Sequence, residues 1–295
     1  MHPTEPQGFS ANPNPLVSLA GRLCSSAKLS LVMGILNVTP DSFSDGGRFL
    51  DPGRAVDHAF RLLEEGADIL DIGAESTRPG AKPVSEHEEL KRLLPVLERL
   101  QKSAFPLPIS VDTTKARVAL EAVERGALLV NDVSALRWDP SMGRALAKSN
   151  AFVILMHAQA APGRMQALAC YHNVTRTVYH FLHNRIAYAV ALGIPKERLL
   201  VDPGIGFGKL PLDNITLLRE LGQLGQLKAR VVVGVSRKRF LDAFATNPLS
   251  EEEKDRLSVI AGISALQNGA SVLRTHNVRL VAEAVRIWKA LSCSG

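Results

Sequence analysis

The most constraining feature of this sequence is a regular alternation of short apolar runs and longer amphipathic segments. It continues from residue 29 almost to the end of the chain. The runs are rich in Val, Ile and Leu and are apolar throughout, which is typical of parallel strands buried on both faces by helices. The predicted strands occupy residues 30–38, 68–73, 108–113, 128–133, 152–157, 199–202, 230–236 and 271–275. The predicted helices occupy residues 52–65, 85–101, 115–125, 140–149, 174–192, 214–221, 251–267 and 278–291.

The number of these units predicts a barrel. Eight strand–helix pairs fill about 265 residues, close to the roughly 250 residues typical of a (β/α)8 barrel. The alternative is a doubly wound open sheet, but no Gly-x-Gly-x-x-Gly sequence follows the first strand, which argues against dinucleotide binding. No linker interrupts the pattern. We therefore predict an α/β protein with a single (β/α)8 TIM barrel domain at residues 29–295, preceded by a flexible N-terminal extension at residues 1–28.

The composition fits a globular protein and restricts its partners. The 295-residue chain is 46% hydrophobic and 22% charged, which excludes a disordered or collagen-like chain. No apolar run approaches the roughly 18 residues that a membrane span needs. The net charge of +6 suggests an anionic ligand, but the basic residues are scattered, whereas nucleic-acid binding would favour a basic cluster. We expect small-molecule substrates and neither a nucleic-acid nor a membrane partner.

The cysteines indicate the compartment. Cys24, Cys170 and Cys293 are more than a hundred residues apart, so they fit neither a disulfide framework nor a zinc site. This pattern favours a reducing compartment. The first thirty residues have no basic leader before an apolar stretch, so a cleaved signal peptide is not expected. We expect a cytoplasmic protein.

Polar residues follow all eight predicted strands. In a barrel the carboxyl ends of the strands lie on one rim, where active sites are built. A single Asp or Asn at a strand end often caps a helix or closes a turn, and a lysine there can be a solvated surface residue. The convergence of eight strands is what predicts a site. Arg274 and His276 are two residues apart, so both side chains point to the same face and could bind one anion.

Motifs for several other chemistries are absent. The glycine-rich segment 204–209 is not a phosphate-binding P-loop, because Pro203 takes the place of its first glycine and Leu210 follows Lys209. The sequence contains neither Gly-x-Ser-x-Gly around Ser236 nor His-Glu-x-x-His, which argues against an esterase or a zinc protease. A Mg²⁺ ion held by one protein oxygen and a substrate phosphate would leave only an Asn or Asp in the sequence.

Taken together, these segments resemble the dihydropteroate synthase family. Residues 33–47 and 71–80 resemble the two long signatures of that family, and shorter matches occur at residues 110–113, 126–133, 202–209, 236–238 and 274–276. The resemblance implies a (β/α)8 barrel that joins (7,8-dihydropterin-6-yl)methyl diphosphate to 4-aminobenzoate. The products would be 7,8-dihydropteroate and diphosphate.

The resemblance also implies roles for individual residues. The pterin diphosphate would be bound by Thr77, Asp112, Asn131, Asp202, Lys238, Arg274 and His276. Of these, Lys238, Arg274 and His276 would form the catalytic set, and Asn37 would ligate Mg²⁺. The 4-aminobenzoate pocket would be formed by Phe43, Arg78, Pro79, Phe207 and Ser236, and the loop at residues 41–47 would close over the site. Chemistry agrees independently, because a carboxylate can accept two hydrogen bonds from the adjacent amino group and ring N–H of a pterin.

The sequence also departs from the family pattern. Ala158 and Ala160 stand where the family usually has Met and Gly, Asn277 stands where an Asp commonly follows the histidine, and residues 210–213 replace a Thr-led segment containing His. We expect adjusted pocket walls rather than lost activity. Two alternatives stay open: a pterin-binding homologue without synthase activity, and a pterin-dependent methyltransferase, which would need neither the loop at 41–47 nor the Arg274–His276 pair.

Two further implications of the resemblance concern assembly and inhibition. Members of the family usually form homodimers through helices outside the barrel, and the apolar residues of 259–266 could either serve that contact or face the barrel. Such enzymes are sulfonamide targets, and sensitivity depends on the geometry around Phe43 and Pro79.

Overall fold

The strands close into a complete barrel. A computed structural model describes residues 15–24, 29–39, 51–75, 84–160 and 169–292. Eight parallel strands pair in chain order, and the last pairs with the first. They are β1 Leu31–Asn37, β2 Ile69–Gly73, β3 Ile109–Asp112, β4 Leu129–Asp132, β5 Phe152–Met156, β6 Leu199–Asp202, β7 Arg230–Gly234 and β8 Val272–Thr275. The predicted (β/α)8 barrel is confirmed, and every strand lies within its predicted range.

Helices surround this barrel. In the described ranges they are α1 Pro15–Cys24, α2 Pro52–Glu64, α3 Glu86–Lys102, α4 Ala116–Glu124, α5 Met142–Ala147, α6 Val174–Ala191, α7 Pro211–Arg219, α8 Glu251–Gln267 and α9 Val278–Ser292. Short 3₁₀ turns occur at Lys196–Arg198, Leu221–Leu227 and Arg239–Phe244. Helix α7 begins three residues before its predicted start, because proline suits the first helical position and Asp213 accepts a hydrogen bond from the amide of Leu210. No helix in these ranges is long and apolar enough to cross a membrane.

The barrel interior changes from apolar to polar along the strands. Alternate side chains of each strand point inward. Towards the amino ends of the strands, Leu31, Met33, Ile69, Leu129, Phe152, Ile154, Leu200, Val232 and Val272 form one buried cluster. Towards the carboxyl ends, the inward positions carry Asp71, Ser110, Asp112, Asn131, Asp202 and Arg274. The same alternation therefore produces a packed base and a polar mouth.

Helix α1 covers the amino end of the barrel. Leu19 and Leu23, one turn apart, are 2% and 5% exposed and join the apolar cluster at the base. Arg230 Nε also donates to the carbonyl oxygen of Leu23 at 3.0 Å. Helix α1, which lies within the predicted extension at residues 1–28, therefore packs on the apolar base of the barrel.

Candidate functional site

A cavity opens at the carboxyl ends of strands β3 to β8. Its empty space, including the part that is open to solvent, is about 310 Å³. The residues that line it are Asp112, Asn131, Val133, Met156, Asp202, Ile205, Phe207, Gly234, Lys238 and Arg274. The structure thus brings together five of the predicted pterin diphosphate ligands, and it places the predicted Phe207 beside them.

Arg274 is held in this cavity by two carboxylates. Its Nε donates to Oδ2 of Asp71 at 2.6 Å, and its Nη2 donates to Oδ2 of Asp112 at 2.9 Å. Asn131 Nδ2 lies 3.5 Å from the same Asp71 oxygen. The orientation of the guanidinium is therefore fixed from two sides without a substrate.

Asp112 and Asp202, the two carboxylates predicted to bind the pterin, both have a pKa above that of an exposed Asp. Burial raises the pKa of Asp112 to about 7, although the charge of Arg274 opposes the rise and that of Asp71 adds to it. Burial also raises the pKa of Asp202, against a hydrogen bond from Gly204 and the charges of Lys238 and Arg274. Both groups are desolvated acceptors, which gain from N–H donors brought by a ligand.

Lys238 crosses the glycine-rich loop after β6. Its Nζ lies 4.1 Å from the centre of the Phe207 ring, within the range of a cation–π contact. Gly206 lies directly beneath the lysine with a φ of 80°, and a Cβ there would approach Lys238 Cδ to 3.0 Å. Glycine at this position lets the loop pass close under the lysine.

The same loop is fixed from behind by Lys209, which belongs to the family match at residues 202–209 but was given no role in the sequence analysis. Lys209 Nζ lies 2.8 Å from the carbonyl oxygen of Gly204, 3.1 Å from that of Phe207 and 3.0 Å from Nδ1 of His157. The side chain is fully enclosed, and burial lowers its pKa to about 7. Burial also lowers the pKa of His157 well below its ordinary value, so the imidazole stays neutral.

Ser236 and His276 form a pair next to the cavity. The backbone N–H of His276 donates to Ser236 Oγ at 3.1 Å, and the same Oγ lies 3.0 Å from His276 Nδ1. Because the hydroxyl oxygen already accepts one bond, its proton can be donated to Nδ1. The imidazole then carries its proton on Nε2, where it could be donated to an anionic ligand.

Asn37 ends β1 on the same rim. Its Oδ1 would lie 3.7 Å from a Cβ placed on Gly73, and Asp112 Cβ would lie 3.8 Å from that point. The amide of Asn37 makes no hydrogen bond to any residue in the described ranges. An uncommitted amide oxygen has the hard-oxygen chemistry that Mg²⁺ prefers. Among the described residues there is no cluster of three His, Cys, Asp or Glu that could hold a metal.

Phe43, Thr77, Arg78, Pro79 and the loop at residues 41–47 are outside the described residues.

Asp71 is a site residue that the sequence analysis missed. Its signal was present, because an Asp in the middle of an apolar strand, between Leu70 and Ile72, must be buried and therefore needs a partner.

Comparison with known proteins places the chain in a family. The sequence model of the family described as pterin binding enzyme matches residues 33–276 of this chain. Dihydropteroate synthase from Haemophilus influenzae is 40% identical over 271 residues, which cover 92% of this chain and 97% of that protein. The Xanthomonas albilineans dihydropteroate synthase structure with 4-aminobenzoic acid has a TM-score of 0.84 at 46% identity, and the match covers 90% of this chain and 94% of that one.

A second structure from Xanthomonas albilineans contains 7,8-dihydropteroate. It matches with a TM-score of 0.80 and 43% identity, covering 90% of this chain and 95% of that one.

Proposed function

Because the chain belongs to the pterin binding enzyme family and is a dihydropteroate synthase, we propose that the cavity at the mouth of its barrel is the condensation site. The enzyme joins (7,8-dihydropterin-6-yl)methyl diphosphate to 4-aminobenzoate and releases diphosphate. In this reaction the C–O bond to the diphosphate breaks and a C–N bond forms, while the amine loses a proton. The observation that carries the assignment is the convergence of Asp112, Asn131, Asp202, Lys238 and Arg274 on one cavity.

The pterin ring binds among the buried polar groups. Oδ1 of Asp202 already accepts a hydrogen bond from the Gly204 amide at 2.6 Å. Oδ1 keeps a second lone pair and Oδ2 is not used by this bond, so the two oxygens can accept one hydrogen bond each from the amino group and ring N–H of the pterin. Asn131 and Asp112 supply the remaining polar contacts, and Val133 and Met156 pack against the ring. A few placed polar groups in an otherwise apolar wall orient the ligand.

The diphosphate binds towards Arg274 and His276. As the C–O bond breaks, negative charge accumulates on the leaving oxygen, and cationic or N–H donors fixed in advance stabilise it. Arg274 is fixed by Asp71 and Asp112, and His276 is fixed by Ser236. None of these residues needs to act as a nucleophile, because the amine of 4-aminobenzoate attacks the pterin methylene.

Asn37 is the proposed protein ligand of Mg²⁺. Its uncommitted amide oxygen lies on the same rim as Asp112, and a magnesium site of this type needs few protein atoms. When bound, the ion would neutralise diphosphate oxygens and so assist departure of the leaving group. Asn37 would contribute by orienting the diphosphate relative to the pterin pocket.

The 4-aminobenzoate pocket lies beside Phe207 and Ser236, and the resemblance to the family implies that Phe43, Arg78 and Pro79, which fall outside the described residues, would also line it. Phe207 is placed by Lys209 behind it and Lys238 in front, so its ring can form one wall. Sulfonamides also present an aniline with an acidic group opposite the amine. They should therefore compete with 4-aminobenzoate for this pocket.

A homodimer through α8 and α9 is the proposed assembly. These helices pack against each other, and Ile260, Ile287 and Leu291 are 67%, 63% and 80% exposed. Within the predicted segment 259–266, Ile260 faces outward whereas Leu266 is buried. Exposed apolar residues on adjacent helices suit a twofold contact. Sedimentation of the wild type and an Ile260→Glu, Ile287→Glu variant tests this, since the variant should be monomeric.

A cytoplasmic location is proposed from the thiol chemistry. Cys170 is an exposed free cysteine, which suits a reducing compartment.

The deciding assay follows diphosphate release and dihydropteroate formation, with and without 4-aminobenzoate, in Mg²⁺ and in chelator. Dihydropteroate should form only when 4-aminobenzoate is present. A chelator should slow the release of diphosphate, because Mg²⁺ is proposed to assist its departure. Pterin binding without product would indicate a silent homologue, and methyl transfer from a methylated folate to a corrinoid would indicate a methyltransferase.

A further inference from the structure

We propose that Asp255, on helix α8, is a positioning residue that aligns the two loops carrying Ser236, Lys238 and His276, and that Asn277 couples to it. This inference rests on the proposed roles of those three residues. Asp255 itself does not line the cavity and is 5% exposed. It would therefore act through its neighbours and not on the substrates.

The first contact of Asp255 is with the loop after β7. Arg237 Nε donates to Oδ1 of Asp255 at 2.8 Å and Nη2 donates to Oδ2 at 2.9 Å. The backbone N–H of Arg237 also donates to Ser258 Oγ at 3.1 Å. Arg237 has a φ of 55°, a left-handed conformation that favours glycine and that surrounding contacts must maintain. Because Ser236 and Lys238 flank Arg237, its backbone direction sets where both side chains point.

The second contact is with the loop after β8. Asn277 Nδ2 donates to Oδ2 of Asp255 at 3.0 Å. Asn277 directly follows His276, and its own Oδ1 accepts a hydrogen bond from the amide of Leu280 at the start of α9. Since the amide oxygen is thus committed, only the NH₂ group of Asn277 is available to Asp255.

Together with the contact between Ser236 and His276, these hydrogen bonds connect the two loops to each other and to Asp255. Asp255 holds Arg237 and Asn277, each of which is a chain neighbour of one member of the Ser236–His276 pair. A displacement at Asp255 would therefore move the hydroxyl and the imidazole relative to each other.

The residue at position 277 must be compatible with the negative charge of Asp255. Burial would raise the pKa of Asp255, but the hydrogen bonds from Arg237 and Asn277 outweigh burial and hold it below its usual value. Asp255 is therefore an anion at neutral pH. An Asp at position 277, common in the family that the sequence resembles, would place a second carboxylate against it with no proton to share.

The test is a double-mutant cycle with Asp255→Asn, Asn277→Asp and their combination. Each single variant should lower kcat about tenfold, because one loses the two-bond Arg237 contact and the other adds like-charge repulsion. In the double variant the new amide at 255 can donate to the new carboxylate at 277. Its loss should therefore be clearly smaller than the product of the two single losses. Binding of the dihydropterin without its diphosphate should weaken in Asp255→Asn, because Lys238 follows Arg237, but should change little in Asn277→Ala, because the loop after β8 carries His276 and not Lys238.

Asp242→Asn is the matched control. Asp242 pairs with Lys254, the residue before Asp255, at 3.1 Å, so the same chemical change is made at a neighbouring ion pair. This control should keep wild-type kcat. Asn277→Ala removes the donor without adding charge and should cost less than Asn277→Asp, which keeps the test informative if Asp255→Asn unfolds.

Single losses that simply multiply in the double variant would overturn the proposal, as would an equal loss from Asp242→Asn. Dihydropteroate formation by the wild-type protein tests the proposed function separately. If it formed no dihydropteroate, the coupling would still be read from binding of inorganic diphosphate to the same four proteins, by calorimetry with Mg²⁺.

Discussion

Arg274 Nε lies 2.6 Å from Oδ2 of Asp71, a carboxylate that is completely buried inside the barrel. The other oxygen of Asp71 has no hydrogen-bond partner within the described residues. A buried anion of this kind is retained against a large desolvation cost, and here it faces a cation proposed to bind diphosphate. We interpret Asp71 as the group that orients Arg274 before substrate arrives.

Asp71→Asn tests this interpretation. The amide keeps the shape and one acceptor but removes the charge that balances and orients Arg274. We expect kcat/KM for the pterin diphosphate to fall by about ten- to a hundredfold, which corresponds to roughly 1.4–3 kcal/mol. Asp68→Asn is the control, because Asp68 precedes the same strand and pairs with Arg22 at the opposite end of the barrel. Equal losses in both variants would refute a specific role for Asp71.

The raised pKa of Asp112 predicts a pH dependence of stability. The folded protein keeps the proton on Asp112 up to about pH 7, whereas in the unfolded chain the group loses it near its ordinary value of about 4. The stabilising contribution is thus fully present below about pH 4 and is lost as the pH rises towards 7. Asp112→Asn removes this contribution. The free energy of unfolding of the wild type, minus that of the variant, should decrease between pH 4 and 7 in denaturant titrations; a difference that stays constant would contradict the assignment.

Lys209→Met should damage the glycine-rich loop. The substitution removes the ammonium donor from the carbonyl oxygen of Phe207, at a cost of about 1–3 kcal/mol, whereas the carbonyl oxygen of Gly204 keeps the hydrogen bond from the Phe207 amide at 3.1 Å. Because Phe207 is proposed to line the 4-aminobenzoate pocket, we expect a lower melting temperature together with a raised KM for 4-aminobenzoate. Lys196→Met, at an exposed position, should change neither quantity. A variant that is less stable but has an unchanged KM would show that Lys209 acts on stability alone.

Lys238→Ala should leave the barrel folded and weaken pterin binding. Lys238 contacts the Phe207 ring and lines the cavity, but it belongs to no apolar cluster of the core. Loss of a half-buried cation beside the ligand should reduce affinity for the dihydropterin by at least about tenfold. Fluorescence titration measures the affinity, and circular dichroism checks the fold. Wild-type affinity in a folded variant would mean that the pocket is assigned wrongly.

The local pattern of the sequence was sufficient to predict the barrel and much of its mouth. Strand positions follow from apolar runs, and inward positions follow from alternation, both of which are properties of neighbouring residues. Asp112, Asn131, Asp202 and Arg274 could therefore be placed on one rim before any contact was known, and the structure brings them together. The helix α1 could not be placed in this way, because its packing depends on a surface formed by distant strands.

By itself, the sequence determined which side chains reach the mouth of the barrel, because a repeating strand–helix unit leaves few ways to arrange its polar strand ends. Only the tertiary structure decided how those side chains are held. Asp71 and Arg274 are 203 residues apart, and Lys209 and His157 are 52 apart. Such partners meet only after the barrel closes, and the need to pair each buried polar group then selects them.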